Sequence, residues 1–235
     1  MKLHIFHQYF ILIFVLTFVN DRGSYKAKIG EVGLAHRGIL FFDELPHFSK
    51  SVLEALREPL QDNKIRISRV NAKVEYPSDF LFIGAMNPCP CGNLLNTQKE
   101  CRCSELDIQR YKNRLSDPFL DRIDLYVVMQ EATPNDRSSL TSKEMHNRVV
   151  DVYKKILLRG QKKFNAKLND LEIEKFCILS AEAKDILEKA VRKFALSQRS
   201  MKKIQKVSQT IADLENHDII EKSDILEALS YRRRG

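Results

Sequence analysis

Nothing in this chain is apolar for the roughly 20 residues that a helix needs to cross a bilayer; its longest such run, Tyr9–Val19, is about half that length. A membrane anchor is therefore a poor reading. An export signal fares no better. Lys2 is the only strong charge ahead of the run, and Asn20-Asp21-Arg22-Gly23 behind it has no small-x-small cleavage pattern. Without export, the five cysteines read as thiols of a reducing, cytoplasmic compartment and not as disulfide partners. Internal repeats and low-complexity tracts are also missing, which sets aside solenoids and disordered tails. The last absence is chemical. No Gly-x-x-x-x-Gly-Lys-Ser/Thr occurs, and none of Gly23, Gly30, Gly33 or Gly38 precedes a Lys-Ser/Thr pair. The chain carries no phosphate cradle of backbone N–H groups with its lysine.

What is present suits one large domain or two small ones: 235 residues, 43% hydrophobic and 30% charged. The net charge of +8 favours a polyanionic partner, nucleic acid or nucleotide phosphate. The richest segment is Gly38-Ile39-Leu40-Phe41-Phe42-Asp43-Glu44. Four apolar residues entered from a glycine predict a buried parallel strand with both faces covered. Two carboxylates at its end lie where α/β sheets bind ligands, outside the carboxyl edge. In a nucleoside triphosphatase the first would hold Mg²⁺ and the second would orient the attacking water, the Walker B pattern. The competing reading is a core strand that ends in a turn or helix cap.

Further along, Pro46–Asp62 has helical apolar spacing at Phe48, Val52, Leu53, Leu56 and Leu60. Residues 64–76 alternate like a β-hairpin, and Phe80–Met86 reads as a second buried strand ending at Asn87. Residues 104–116 look helical, and Ile123–Met129 predicts a third strand. The polar stretch 131–142 reads as a linker. Beyond it only helices are expected, at about 143–163, 170–177, 180–196, 199–215 and 223–231, with Ser180 and Ser197 as N-caps. The expected fold class is α/β: an incomplete parallel sheet over 23–130, then an all-helical domain over 143–235. The apolar segment 1–22 is taken as foreign to the domain.

Asn87 could bind the attacking water or a phosphate, or merely cap a turn. Arg122 could reach a neighbouring subunit as an arginine finger, or form a surface salt bridge. Taken in order, GILFFDELP, LFIGAMNPCPCG, CRC, QRYKNRLSDPFLDRIDL and SQRSMKKIQKVSQTIADL resemble the magnesium-chelatase-like AAA+ ATPases, in the ComM/YifB branch. The resemblance covers about residues 24–235. It implies that Asp43 and Glu44 are Walker B, Asn87 sensor 1, Arg122 the arginine finger and Arg199 sensor 2 on a helical lid, with Lys203 a further basic contact. It also implies ATP and Mg²⁺ as cofactors, homo-oligomeric rings, and ATP-driven DNA remodelling during natural transformation. No porphyrin-specific feature is visible. The missing Walker A loop departs from the family and leaves a second expectation, a ring subunit or nucleic-acid-binding module with no ATPase activity of its own.

Two further groups carry chemistry. Cys89, Cys91, Cys101 and Cys103 form two C-x-C pairs; in an extended segment residues i and i+2 point the same way, so each pair can bite one metal. A structural zinc site, unliganded thiols and a redox pair all fit that spacing. Lys64, Arg66, Arg69 and Lys73 cluster on the predicted hairpin, as phosphate contacts for DNA or as a solvated face.

Overall fold

The computed structural model describes residues 10–11, 30–69, 72–96, 98–129 and 140–232, without the side chains of 10, 11, 68, 69 and 72. Most of the 1–22 segment and of the 131–142 linker lies outside these residues. Two compact units divide the chain, one ending at Arg122 and one beginning at Ile123. Together they make a mixed α/β chain with a small parallel sheet and many helices.

In the first unit, β1 (Phe10–Ile11), α1 (Glu31–Leu34) and β2 (Ile39–Phe42) come first. A 3-10 turn over Leu45–His47 leads to α2 (Lys50–Ala55) and α3 (Arg57–Asp62). The antiparallel hairpin of β3 (Lys64–Arg69) and β4 (Ala72–Pro77) follows, then β5 (Leu81–Gly84), α4 (Glu105–Lys112) and α5 (Asp117–Leu120). The parallel sheet has the order β1-β2-β5. Phe10 and Ile11, from the segment set apart by its sequence, pair with Ile39 and Leu40. The expected single helix over 46–62 is two, because Pro59 has no N–H to give and its ring crowds the carbonyl four residues back.

The β2–β5 register is pinned beyond both ends. Arg37 N donates to Asp79 O (2.6 Å) and Leu81 N to Gly38 O (3.0 Å); at the far end Ala85 N donates to Phe42 O (2.8 Å) and Leu45 N to Ala85 O (2.9 Å). Gly84 sits against Leu45 so closely that a Cβ there would lie 3.2 Å from Leu45 Cδ2. The core on one face is a chain of rings: Phe48 to Phe42 at 4.6 Å, Phe42 to Phe82 at 5.6 Å, and Phe82 edge-on to Phe119 at 6.0 Å. Leu40, Leu53 and Leu56 close round them, all buried. β5, expected as a second buried strand, is instead open on one face, where Leu81 and Ile83 are 59% and 40% exposed. Among the described residues the packed layer lies on the Phe82 side only.

The second unit holds α6 (Ser142–Leu158), a 3-10 turn over Asn165–Lys167, α7 (Asp170–Phe176), α8 (Ala181–Lys193), α9 (Gln198–Leu214) and α10 (Lys222–Ser230). The expected caps form: Ser180 Oγ accepts from Ala183 N and Ser197 Oγ from Ser200 N. Leu187, Ile204, Ile211, Ile220 and Ile225 centre the core. Asp213 lies within it, its carboxylate held by Arg159 (2.5 and 2.8 Å), Asn165 (2.8 Å) and Gln209 (3.0 Å). The third predicted strand, 123–129, does not form. Its residues are grouped with the helices, and Tyr126 N donates to Tyr231 O. Leu125, Val127, Val128 and Met129 stay exposed, because an apolar segment becomes a strand only beside another strand.

Candidate functional site

The register of β2 on β5 fixes the centre of the site. Phe42 pairs with Gly84, so Asp43-Glu44 and Ala85-Met86-Asn87 leave the carboxyl ends of adjacent parallel strands together. Asp43, Glu44 and Asn87 are all exposed there. Glu44 has left-handed backbone angles (φ 49°, ψ 46°), which cost a non-glycine residue about 1–2 kcal/mol. Its amide N–H donates to Asp43 Oδ1 at 2.9 Å. The turn therefore holds both carboxylates at the strand end in a strained conformation.

Tyr111 on α4 joins these groups. Its ring is 5% exposed and sits edge-on to His47 at 6.3 Å. Burial raises the phenol's pKa and the Glu44 carboxylate adds to this, while a hydrogen bond from the Asn87 backbone amide works against it. Glu44, Asn87 and Cys89 thus all lie within electrostatic reach of one phenol oxygen. Arg114, one turn on, donates from Nη1 to Pro46 O at 3.3 Å and braces the turn that follows Glu44. Sequence reading missed both residues. A tyrosine at an apolar helical position looks like core, and only its tertiary contact gives it another role.

The four cysteines converge. Cys89 Sγ lies 3.5 Å from Cys91 Sγ and 3.7 Å from Cys101 Sγ, Cys91 and Cys101 are 3.6 Å apart, and all four sulfurs fall within 4.8 Å of one another. Gly92, at φ 79°, closes the turn by donating to Cys89 O at 3.0 Å, a conformation that suits glycine. Backbone amides of Asn93 and Arg102 donate to the Cys91 sulfur and bring its pKa down to about 6, helped by the Cys103 thiol. Cys103 is pushed up to about 12 by burial and by its sulfur neighbours. At Cys101 the Cys103 amide pulls downward, but burial and the other thiols outweigh it, so its pKa rises. One thiolate forms readily and its neighbours resist, as expected where several sulfurs share a space sized for one cation. The fifth cysteine, Cys177, is buried in the helical core and raised to about 11 by that burial.

The remaining predicted residues are placed elsewhere. Arg122 is tied to its own unit, donating to Arg57 O (3.3 Å), Gln61 Oε1 (2.8 Å) and Pro118 O. Arg199 is exposed in the first turn of α9. Lys203, expected as a nucleotide contact, pairs with Asp124 at 2.9 Å and donates to Ile123 O at 3.3 Å, so it clips the start of its own unit to α9. On the hairpin, Lys64 and Arg66 both pair with Glu75 (3.2 and 3.3 Å), and Arg66 also reaches Glu58 at 3.1 Å. Lys73 is exposed; the side chain of Arg69 lies outside the described residues.

Residues 20–137 match the family described as "Magnesium chelatase, subunit ChlI", and residues 139–232 match "Magnesium chelatase, subunit ChlI C-terminal". The chain belongs to the magnesium chelatase ChlI family. Among its relatives, this ChlI-family chain is 44% identical over 216 residues to "Competence protein ComM" of Haemophilus influenzae, covering 89% of the chain and 42% of that protein. It is 42% identical over 222 residues to "Uncharacterized protein YifB" of Salmonella typhimurium, covering 92% of the chain and 43% of that protein. The chain spans less than half the length of these curated relatives and aligns with their C-terminal part. No helix among the described residues is long and apolar enough to cross a membrane.

Proposed function

We propose that this chain is the Walker B, sensor and lid portion of an ATP-hydrolysing AAA+ motor that assembles as a homo-oligomeric ring and remodels DNA by branch migration, as in natural transformation. The observation that carries the reading is the register that brings Asp43-Glu44 and Asn87 to one sheet edge. Two exposed carboxylates at a strand end suit a hydrated Mg²⁺, which prefers carboxylate oxygens and keeps several waters. Mg²⁺-ATP, when bound, supplies the phosphoryl group that water attacks. Asp43 holds the cation, Glu44 orients the water, and Asn87 senses the terminal phosphate. Arg122 serves the neighbouring subunit's site, and Arg199 is assigned the sensor 2 role by the family resemblance. Lys203 and Arg122 must exchange their present partners to act on nucleotide.

The donor set for the triphosphate itself is missing, because no phosphate loop occurs in the 235 residues. That absence favours a second reading, a ring subunit that lends Arg122 to an intact neighbour and turns over no ATP alone. The test is steady-state ATP hydrolysis by the isolated chain, then by the chain mixed with an intact ComM-type relative. Background activity alone, with a change in the relative's turnover that Arg122→Ala removes, is the expected result. Turnover by the isolated chain that disappears in Glu44→Gln would refute the second reading and reveal a phosphate site of another kind.

On the hairpin, DNA contact is sequence-independent and made through phosphates. The pairs to Glu75 and Glu58 do not prevent it. Exposed ion pairs contribute at most about 1 kcal/mol, and counterion release on binding a polyanion exceeds that.

A further inference from the structure

We propose that Cys89, Cys91, Cys101 and Cys103 bind one Zn²⁺, and that this ion holds Asn87 in place by fastening the end of β5 to the start of α4. A tetrahedral tetrathiolate site with Zn–S bonds near 2.3 Å sets its sulfurs about 3.8 Å apart. The Cys89, Cys91 and Cys101 sulfurs lie 3.5, 3.6 and 3.7 Å apart, with no disulfide among the four cysteines. All four sulfurs lie within 4.8 Å of one another, and the Gly92 turn, closed by its N–H to Cys89 O at 3.0 Å, folds Cys91 back beside Cys89. Cys89 is fully buried, so one side of the site is dry.

The placement in the chain gives the ion its task. Cys89 follows Asn87 by two residues, and Cys103 directly precedes Ser104, the N-cap of α4. One ion therefore grips the chain just after the sensor position and just before the helix that carries Tyr111. Tyr111, buried on α4 and edge-on to His47 at 6.3 Å, ties that helix to the turn after Glu44. Metal binding stands apart from the nucleotide reading; only the value of a fixed Asn87 rests on it.

The test uses the full chain purified without chelators. Elemental analysis should give one zinc per chain, and Co²⁺ in its place should show the intense sulfur-to-metal charge-transfer absorption of a thiolate site. Cys101→Ser should lose the metal. Hydrogen exchange at the Asn87 amide should quicken by about fivefold, the equivalent of one net hydrogen bond, when zinc is chelated. Adding Zn²⁺ back after chelation should restore the slow exchange, which separates positioning from loss of the fold. A chain that neither retains zinc nor takes up added Zn²⁺ would overturn the site. Zinc bound with Asn87 exchange indifferent to chelation would overturn the positioning role. None of these measurements reads ATP, so their failure and the failure of the ATPase reading are distinct results.

Discussion

Removing the Asp213 carboxylate is the most severe single change the helical unit should register. Asp213 on α9 has no exposed side-chain surface and meets Arg159 at the end of α6 through both oxygens, with Asn165 and Gln209 as further donors. In Asp213→Ala four N–H donations lose their acceptor, and a guanidinium remains beside an apolar core. Breaking one side of a buried ion pair costs about 3–5 kcal/mol. The Arg159 side chain is 22% exposed, so water can partly solvate the orphaned charge and the lower end of that range applies, about 3 kcal/mol. For a unit near 100 residues each kcal/mol moves the midpoint by roughly 4–8 °C, so melting should fall by about 12–24 °C. The assay is thermal and urea unfolding of the full chain, followed by helical circular dichroism. Arg159→Met combined with Asp213→Leu should recover much of the loss, because the double change leaves no unpaired charge. If Asp213→Ala costs less than about 1 kcal/mol, the pair is not a buried anchor and the argument fails.

Three further outcomes follow from the same geometry. His217 has its pKa raised above 6.5, chiefly by the Asp224 hydrogen bond (3.0 Å) with Glu221 and Glu215 adding to it. A raised histidine gives stability that is complete below pH 6.5 and is lost as pH climbs through the folded value, so melting temperatures should decline across that window and the decline should vanish in His217→Asn. Phe119→Ala removes the fully buried end of the ring chain and should destabilise the first unit by about 3–5 kcal/mol in denaturant titrations; a smaller loss would mean that the cavity collapses. For DNA, Lys73→Ala should lower the salt slope of binding by about one if the exposed lysine meets a phosphate, and leave it unchanged if the hairpin face is only solvated.

Local chemistry made much of this fold legible. Ser180 and Ser197 announce their helices because an N-cap acts within three residues, and the hairpin is visible in an alternation that needs no distant partner. Ile123–Met129 has equally good strand composition, but a strand depends on a neighbour that composition does not name. The break at Leu56, three residues ahead of Pro59, does not show in the apolar period, which continues across it. At the site, the order of motifs singled out Asp43, Glu44 and Asn87, which the β2–β5 register sets at one sheet edge. It could not show that Lys203 prefers Asp124, or that Tyr111 meets His47, because both contacts join residues far apart in sequence.

On the ATPase reading proposed above, the left-handed backbone at Glu44 sets folding and turnover in competition at one position. Glycine adopts those angles without penalty and asparagine with little, so either should raise the melting temperature. Neither supplies a carboxylate. A library randomised at codon 44 and selected for heat resistance should drift toward glycine or asparagine, whereas one selected for activity of the assembled motor should return glutamate. Divergence of the two pools would identify the residue that catalysis retains against the preference of the fold.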